Sequence, residues 1–185
     1  MEKTLKVIMW VVIAVVAVMT IIAVAQLVQR KMESRPFASY DFPETIVVEN
    51  STNYKADTIC MHLAHSVLGL DTINLMLAYI PEHINEGGEE FYGIVQMLPF
   101  RPNQFLILLS REGMSFQLLK QTLSHEFVHI HQYISGDLVV YPLYVIWKGE
   151  DVYLKEVPYE ERPFEKDAFD NQGKYLKKLN KVLYN

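Results

Sequence analysis

Apolar residues recur at helical spacing in the middle of the chain, between Ser115 and Gly136. The residues that share this stripe are Leu119, Leu123, Phe127, Ile130 and Ile134. No proline interrupts the stretch, Ser115 is a favourable N-cap residue, and glycine is favourable just past a helix C-terminus. The pattern therefore predicts a helix over residues 115–135 that is largely buried.

Two further helices are predicted on either side of this one. From Pro163 to near the end of the chain, one face is apolar: Phe164, Ala168, Tyr175, Leu176, Leu179 and Leu183. Proline suits the first turn of a helix, and the lysines on the opposite face are interpreted as solvated. Residues 57–68 also suit a helix, with Asp57 as the candidate N-cap.

Short extended runs alternate with turn residues between these helices. Strands are predicted at residues 45–49, 73–80, 91–98, 104–110 and 138–141, and a hairpin over 144–154 that turns around Gly149. The order of elements indicates an α+β fold. We expect a short, mostly antiparallel sheet packed on the central helix, with the C-terminal helix closing one side.

Residues 7–28 form an apolar run that contains no charge, proline or glycine. As a helix, this run would be about 33 Å long, which is enough to cross the hydrocarbon core of a bilayer. The sequence favours a single-pass membrane anchor at residues 1–29, followed by a linker at 30–43 and one domain at 44–185. Basic residues are nearly balanced on the two sides of the run, so its orientation stays open.

A secretory signal peptide is the alternative interpretation of the same run. Ala23 and Ala25 form an A-x-A cleavage pattern, and cleavage near Ala25 would release a secreted domain. The run is longer than the usual apolar part of a signal peptide, which is why the anchor is favoured.

Composition narrows the class of protein. The formal net charge is −5, and no basic stripe with interleaved aromatic residues occurs, which argues against a nucleic-acid partner. Cys60 is the single cysteine, so the chain has no internal disulfide.

The central helix carries the pattern His-Glu-x-x-His, formed by His125, Glu126 and His129. Positions i and i+4 lie on one face of a helix, so both imidazoles can reach one metal ion. Glu126 lies beside them, where it can act as the base for a metal-bound water. This combination is typical of zinc hydrolases. His62 and His65, by contrast, are interpreted as ordinary histidines.

A catalytic zinc site generally has three protein ligands and one open position. No histidine follows His131, and His131 lies about 200° around the helix from His129, so it points elsewhere. A carboxylate from the C-terminal helix is the natural third ligand. Glu165 is preferred, while Glu161 and Asp167 stay open as alternatives. An acid in the first turn also simply complements the helix dipole, which is the ordinary interpretation of Glu165.

Three segments together resemble a known family. They are His-Glu-Phe-Val-His-Ile-His-Gln at residues 125–132, Trp-Lys-Gly at 147–149 and Arg-Pro-Phe-Glu-Lys-Asp-Ala at 162–168. They look like the corresponding parts of minimal gluzincin-type zinc metallopeptidases of small bacterial or phage type, over about residues 104–184. Many gluzincins have an aspartate four residues after the ligand glutamate, to orient a histidine. This chain has Phe169 there, which puts that contact in doubt.

The resemblance implies one Zn²⁺ per chain, bound by His125, His129 and Glu165, with Glu126 as the catalytic base. It further implies that the strand at residues 104–110 pairs with an extended peptide or protein substrate. An ordinary buried strand is an equally good interpretation of these residues. Candidate donors to the transition state are Tyr141, Tyr159, His131 and Arg162. The expected function is membrane-tethered peptide hydrolysis. The alternative is a non-catalytic, membrane-anchored binding module with a structural or vestigial metal site, although such a site needs no base.

Overall fold

The computed structural model describes residues 46–52, 55–80, 84–86, 89–98 and 103–184. The predicted anchor at residues 7–28, its alternative as a signal peptide and the linker at 30–43 lie outside these residues. Among the described helices, none combines the length and the apolar character that a membrane crossing requires.

The described residues form an α+β fold, as predicted. Its helices are α1 (Ala56–His62), α2 (Phe116–Ser135) and α3 (Pro163–Tyr184). Its strands are β1 (Ile46–Asn50), β2 (Ile73–Ile80), β3 (Ile84–Glu86), β4 (Glu89–Phe91), β5 (Gly93–Met97), β6 (Gln104–Ser110), β7 (Leu138–Val140), β8 (Val145–Trp147) and β9 (Glu150–Val152). A π-helical turn, Leu63–Val67, follows α1, and a 3₁₀ turn, Tyr159–Glu161, precedes α3.

The largest sheet in the described part of the chain has the strand order β1-β2-β6-β5. β1 pairs with β2 and β2 pairs with β6 in parallel, and only β5 runs antiparallel to its neighbour. This corrects the expected mostly antiparallel sheet. Between β1 and β2 the chain passes through α1, and such a crossover returns the second strand in the same direction as the first.

The strand order also corrects the expected position of a paired substrate. Residues 104–110 form β6, which is already hydrogen-bonded to β2 on one side and to β5 on the other. An added peptide strand needs an open edge, and β6 has none. Among the described strands, β1 and β5 lie at the two edges of this sheet, and β5 is the edge strand that packs next to α2.

The strands after α2 form a second, three-stranded antiparallel sheet, β7-β8-β9. The predicted hairpin at Gly149 is confirmed: Lys148 and Gly149 both have positive φ, 50° and 89°, as the two central residues of a tight hairpin turn require. The inner face of this sheet forms one core cluster with the start of α3: Leu138, Val145, Trp147, Val152 and Phe164.

Two of the predicted capping residues are confirmed, and a third is not. Ser115 caps α2, because its hydroxyl accepts a hydrogen bond of 3.1 Å from the N–H of Leu118. Gly136 ends α2 in the left-handed conformation, at φ 76°. Asp57 is not the N-cap of α1, since that helix begins at Ala56 and places Asp57 in its first turn. α3 continues through Gly173 without a break.

Helices α2 and α3 pack extensively on each other, and a buried lysine joins their distant ends. Lys120, near the start of α2, donates to Asn180 Oδ1 at 2.8 Å and lies 3.4 Å from the hydroxyl of Tyr184, at the end of α3. A buried ammonium group needs such acceptors. The two helices are therefore antiparallel, which brings the first turn of α3 beside the second half of α2.

The edge strand β5 approaches α2 closely at Gly93. A Cβ atom at this position would lie 2.4 Å from Thr122 Cγ2 and 3.2 Å from Glu126 Oε1. Nonbonded atoms essentially never approach a Cβ atom within 3.0 Å, so any residue larger than glycine would force the Thr122 side chain or the strand to shift. The approach brings the backbone of β5 to the side chain of Glu126.

We predict that Gly93→Ala destabilises the protein by about 1–3 kcal/mol, because the added methyl group overpacks the contact with Thr122. The free energy of unfolding in urea measures this loss. Adding Thr122→Ala, which removes Cγ2, should recover most of it. Gly173→Ala is the control: no atom lies within 4 Å of its Cβ, and alanine in a helix interior should stabilise by about 0.5–1 kcal/mol. An unchanged stability of Gly93→Ala would contradict the close approach.

Candidate metal centre

Three predicted ligands meet at one point between α2 and α3. His125 and His129 project from one face of α2, and their Nε2 atoms are 3.1 Å apart. Glu165, from the first turn of α3, places Oε2 3.3 Å from His125 Nε2 and 3.2 Å from His129 Nε2. All three side chains are buried. This cluster could hold a metal ion.

Electrostatics couples the three side chains strongly. Burial alone would raise the pKa of Glu165, but hydrogen bonds from His125 and His129 lower it to about 2. Burial would likewise lower the pKa of His129, but the hydrogen bond and charge of Glu165 raise it to about 9. The site therefore attracts positive charge, and a metal that binds at neutral pH displaces a proton from His129.

Glu126 lies next to the cluster without belonging to it. Its side chain is buried, with 4% of its surface exposed. Burial raises the pKa of Glu126, and the nearby imidazoles and a hydrogen bond from the Val95 backbone oppose this shift. The residue thus combines a higher proton affinity than an ordinary glutamate with a fixed position beside β5.

Tyr159, from the turn before α3, completes the rim of the cluster. Its hydroxyl donates a hydrogen bond of 2.7 Å to Glu165 Oε2. Its ring packs against Phe91 at a centroid distance of 4.3 Å and lies 5.4 Å from the guanidinium carbon of Arg162. Burial and then the charge of Glu165 raise the pKa of Tyr159, so the phenol stays protonated and acts as a donor.

Behind His129, a chain of hydrogen bonds leads back to α3. His129 Nδ1 lies 2.9 Å from Gln132 Oε1. The amide nitrogen of Gln132 donates to the carbonyl of Phe164 at 3.0 Å and to Asp167 Oδ2 at 2.8 Å. Asp167 is held in turn by the amide of Asn171.

His125 has a different environment. Its Nδ1 is buried and has no hydrogen-bond partner among the described residues. Its ring packs instead against Phe169, with the centroids 4.7 Å apart and the planes at 55°. Phe169 stands at the position where the resemblance implies an aspartate, and it supplies a packing surface rather than an acceptor.

Two cavities open on either side of Glu126. The larger, of about 710 Å³, lies toward the start of α2 and is lined by Leu118, Thr122, His125, Tyr159, Phe169 and Leu176, among others. The smaller, of about 160 Å³, lies toward the three-stranded sheet and has mostly apolar walls, including Val95, Leu138, Val140, Val145, Leu154 and Phe164. Phe91, Gly93 and Tyr159 line both.

Several other predicted residues lie away from the cluster. His131 lies on the outer side of α2, where its Nδ1 is 3.0 Å from the hydroxyl of Tyr175. The ring of Tyr141 stacks on Tyr144, 4.9 Å away, and lines neither cavity. Arg162 lines the smaller cavity, but its guanidinium donates to the carbonyls of Leu154 and Val157.

The other two acids considered for the third ligand lie outside the cluster. Glu161 is exposed and is not part of the cluster. Asp167 faces Gln132 rather than the imidazole Nε2 atoms. Likewise, His62 is buried in α1 and belongs to no group of three metal-ligating side chains in the part of the chain that is described.

Sequence reasoning missed three positions that shape the site: Gln132, Gly93 and Val95. Gln132 follows His129 by three residues on the same helix face, so the spacing contained a signal for it. Nothing in the local sequence marks Gly93 and Val95, because their importance comes from the edge position of β5 next to α2.

Comparison of the chain with protein-family models, with curated proteins and with solved structures found no match.

We predict that Glu165→Gln weakens metal binding by more than about a hundredfold, because it removes the one anionic ligand. Glu161→Gln makes the same chemical change at an exposed residue in the turn before α3, outside the cluster, and should leave binding unaltered. Elemental analysis after dialysis, together with a chelator competition titration, measures both. Equal binding by the two variants would exclude Glu165 as a ligand.

Proposed function

We propose that this protein is a zinc-dependent peptidase in which His125, His129 and Glu165 hold the metal and Glu126 acts as the general base. The observation that carries the proposal is the position of Glu126. It is a buried carboxylate beside a three-ligand cluster, it belongs to both cavities, and it is not itself one of the clustered ligands.

The spacing of the ligand atoms supports zinc. With bonds of about 2.0–2.1 Å and tetrahedral angles, two zinc ligands lie about 3.3 Å apart. The three separations here are 3.1, 3.2 and 3.3 Å. Two imidazoles and one carboxylate are also the donor set of known catalytic zinc sites, which keep one position open. When bound, zinc supplies a Lewis acid that lowers the pKa of water and polarises a carbonyl group.

Glu126 performs the proton transfers in this proposal. As a carboxylate it accepts the proton of the attacking water, and it then delivers that proton to the amine that leaves when the peptide bond breaks. Burial raises the pKa of Glu126, so this carboxylate has a higher affinity for the proton of the water than an exposed glutamate has. The Tyr159 hydroxyl is the candidate donor that lies beside the cluster, but its one hydrogen is donated to Glu165 Oε2, so stabilising the charge on the carbonyl oxygen requires that bond to be exchanged.

The open edge of β5 supports a peptide as the substrate. Tyr92 and Leu98 direct backbone hydrogen bonds toward β6, so in an antiparallel ladder the alternate residues, Gly93, Val95 and Met97, face outward. An extended peptide that adds to this edge passes Glu126 and reaches both cavities. β5 thus takes the role that the resemblance implied for residues 104–110.

We predict that Glu126→Gln retains bound zinc and lowers kcat by about 10²–10⁴-fold or more, because the amide cannot accept a proton. Metal content and the cleavage of a peptide library, read by mass spectrometry, test this together. Glu160→Gln, at an exposed position that also lines the larger cavity, is the matched control and should retain activity. Zinc-loaded wild-type protein that cleaves no peptide would favour a binding module instead.

The tether belongs to the proposal on the strength of the sequence alone. An uncleaved apolar segment at residues 7–28 predicts that the chain stays with the membrane pellet after alkaline carbonate extraction. A signal peptide predicts a soluble product that begins near residue 26. N-terminal sequencing of each fraction distinguishes the two outcomes.

A further inference from the structure

We propose that Asp167 and Gln132 are positioning residues that fix the tautomer of His129, so that hydrogen bonds orient the outer nitrogen of His129 whereas the outer nitrogen of His125 meets only a packing surface. This inference rests on the proposed function, because it assigns roles around the same metal ligands.

The orientation of the Gln132 amide follows from its partners. Its nitrogen lies 2.8 Å from Asp167 Oδ2 and 3.0 Å from the carbonyl oxygen of Phe164. A carboxylate and a carbonyl group can only accept hydrogen bonds, so both must face the amide NH₂ group. The carbonyl oxygen of Gln132 is thereby turned toward His129.

The tautomer of His129 follows from the orientation of that amide. Gln132 Oε1 is an acceptor 2.9 Å from His129 Nδ1, so Nδ1 must carry a hydrogen. In a neutral imidazole, Nε2 is then the nitrogen with the free lone pair. Nε2 is also the atom that lies 3.2 Å from Glu165 Oε2, inside the cluster.

We call the chain of hydrogen bonds from Asp167 through Gln132 to His129 the relay. Asp167 is a suitable end for this relay because hydrogen bonds fix its own position. Its Oδ1 and its backbone carbonyl accept hydrogen bonds of 3.2 and 2.8 Å from the Asn171 amide, one turn further along α3. Because Glu165 and Asp167 both belong to the start of α3, the same helix supplies one metal ligand and orients another.

No comparable relay reaches His125. Its buried Nδ1 has no hydrogen-bond partner among the described residues, and the neighbouring side chain on α3 is the ring of Phe169. Outer hydrogen bonds to a ligand histidine generally strengthen metal binding. The two histidines of the motif are therefore unequal, although the sequence pattern treats them alike.

The first test is the zinc dissociation constant of the full-length chain, measured by chelator competition in detergent. Gln132→Met keeps the length of the side chain and removes the amide, and we expect weaker binding by about 10–100-fold. Gln117→Met makes the same change at an exposed position of α2 and should leave binding unaltered. Asp167→Asn should cost less than Gln132→Met, since its carbonyl can still accept from Gln132.

A paired exchange provides a rescue. Gln132→Glu alone places two carboxylates in contact and should weaken binding. Combined with Asp167→Asn, it restores an acceptor for His129 Nδ1 and a donor–acceptor pair behind it. We expect the double variant to bind zinc more tightly than Gln132→Glu alone. A double variant no better than the single one would overturn the relay.

The second test needs no metal. In the metal-free protein, under conditions in which the His129 ring is neutral, nitrogen NMR of labelled histidine should show His129 as the Nδ1–H tautomer in the wild type and not in Gln132→Met, because Gln132 Oε1 faces Nδ1. A wild-type Nε2–H tautomer would overturn the proposal. The proposal would also be overturned if Gln132→Met were less stable in urea while its His129 tautomer and its zinc affinity stayed unchanged.

A wild-type protein that binds no zinc would refute the proposed function, and the His129 tautomer would still test whether Gln132 orients His129.

Discussion

Three electron-rich atoms converge within 3.3 Å of one another in a buried place, and the rest of this structure is organised around that convergence. Without a cation or protons between them, two imidazole nitrogens and a carboxylate oxygen would repel one another, since burial removes the water that screens their charges. A cation or shared protons must neutralise the cluster. In the metal-free state protons do so, which is why the pKa of Glu165 falls to about 2 while that of His129 rises to about 9.

The antiparallel packing of α2 and α3 makes this convergence possible. Lys120 joins the far ends of the two helices, and the Gln132–Asp167 contact joins them directly behind His129. These polar contacts fix the position of α3 along α2, a degree of freedom that apolar side chains alone specify less sharply. Glu165 consequently meets both histidines rather than one.

Glu126 depends on a different contact, the approach of β5 to the opposite side of α2. A residue larger than glycine at position 93 would force a shift, and the approach brings an open strand edge to the carboxylate. The buried base and two of the clustered side chains thus come from α2, the third clustered side chain comes from α3, and the strand edge comes from β5. Their meeting is the basis on which we propose peptide hydrolysis.

The sequence by itself determined the local elements and the local part of the site. Helical spacing placed His125, Glu126 and His129 on one face of α2, Ser115 and Gly136 marked the ends of that helix, and the hairpin at Gly149 was evident from its turn residue. These features depend on interactions within a few residues of chain. That Glu165, and not Glu161 or Asp167, lies beside the two histidines depends on the pairing of α2 with α3.

Tertiary structure alone decided which strands lie at the edges of the sheet and that most pairings in that sheet are parallel. It also decided that Gln132 and Asp167 lie behind His129 and that Phe169 packs beside His125. Each depends on contacts between residues tens of positions apart. The alternation of apolar and polar residues records which face of a strand is buried, but not which strand is its neighbour. For that reason the sequence did not show that residues 104–110, the strand for which the resemblance implied a substrate, form β6, whose two edges are already paired.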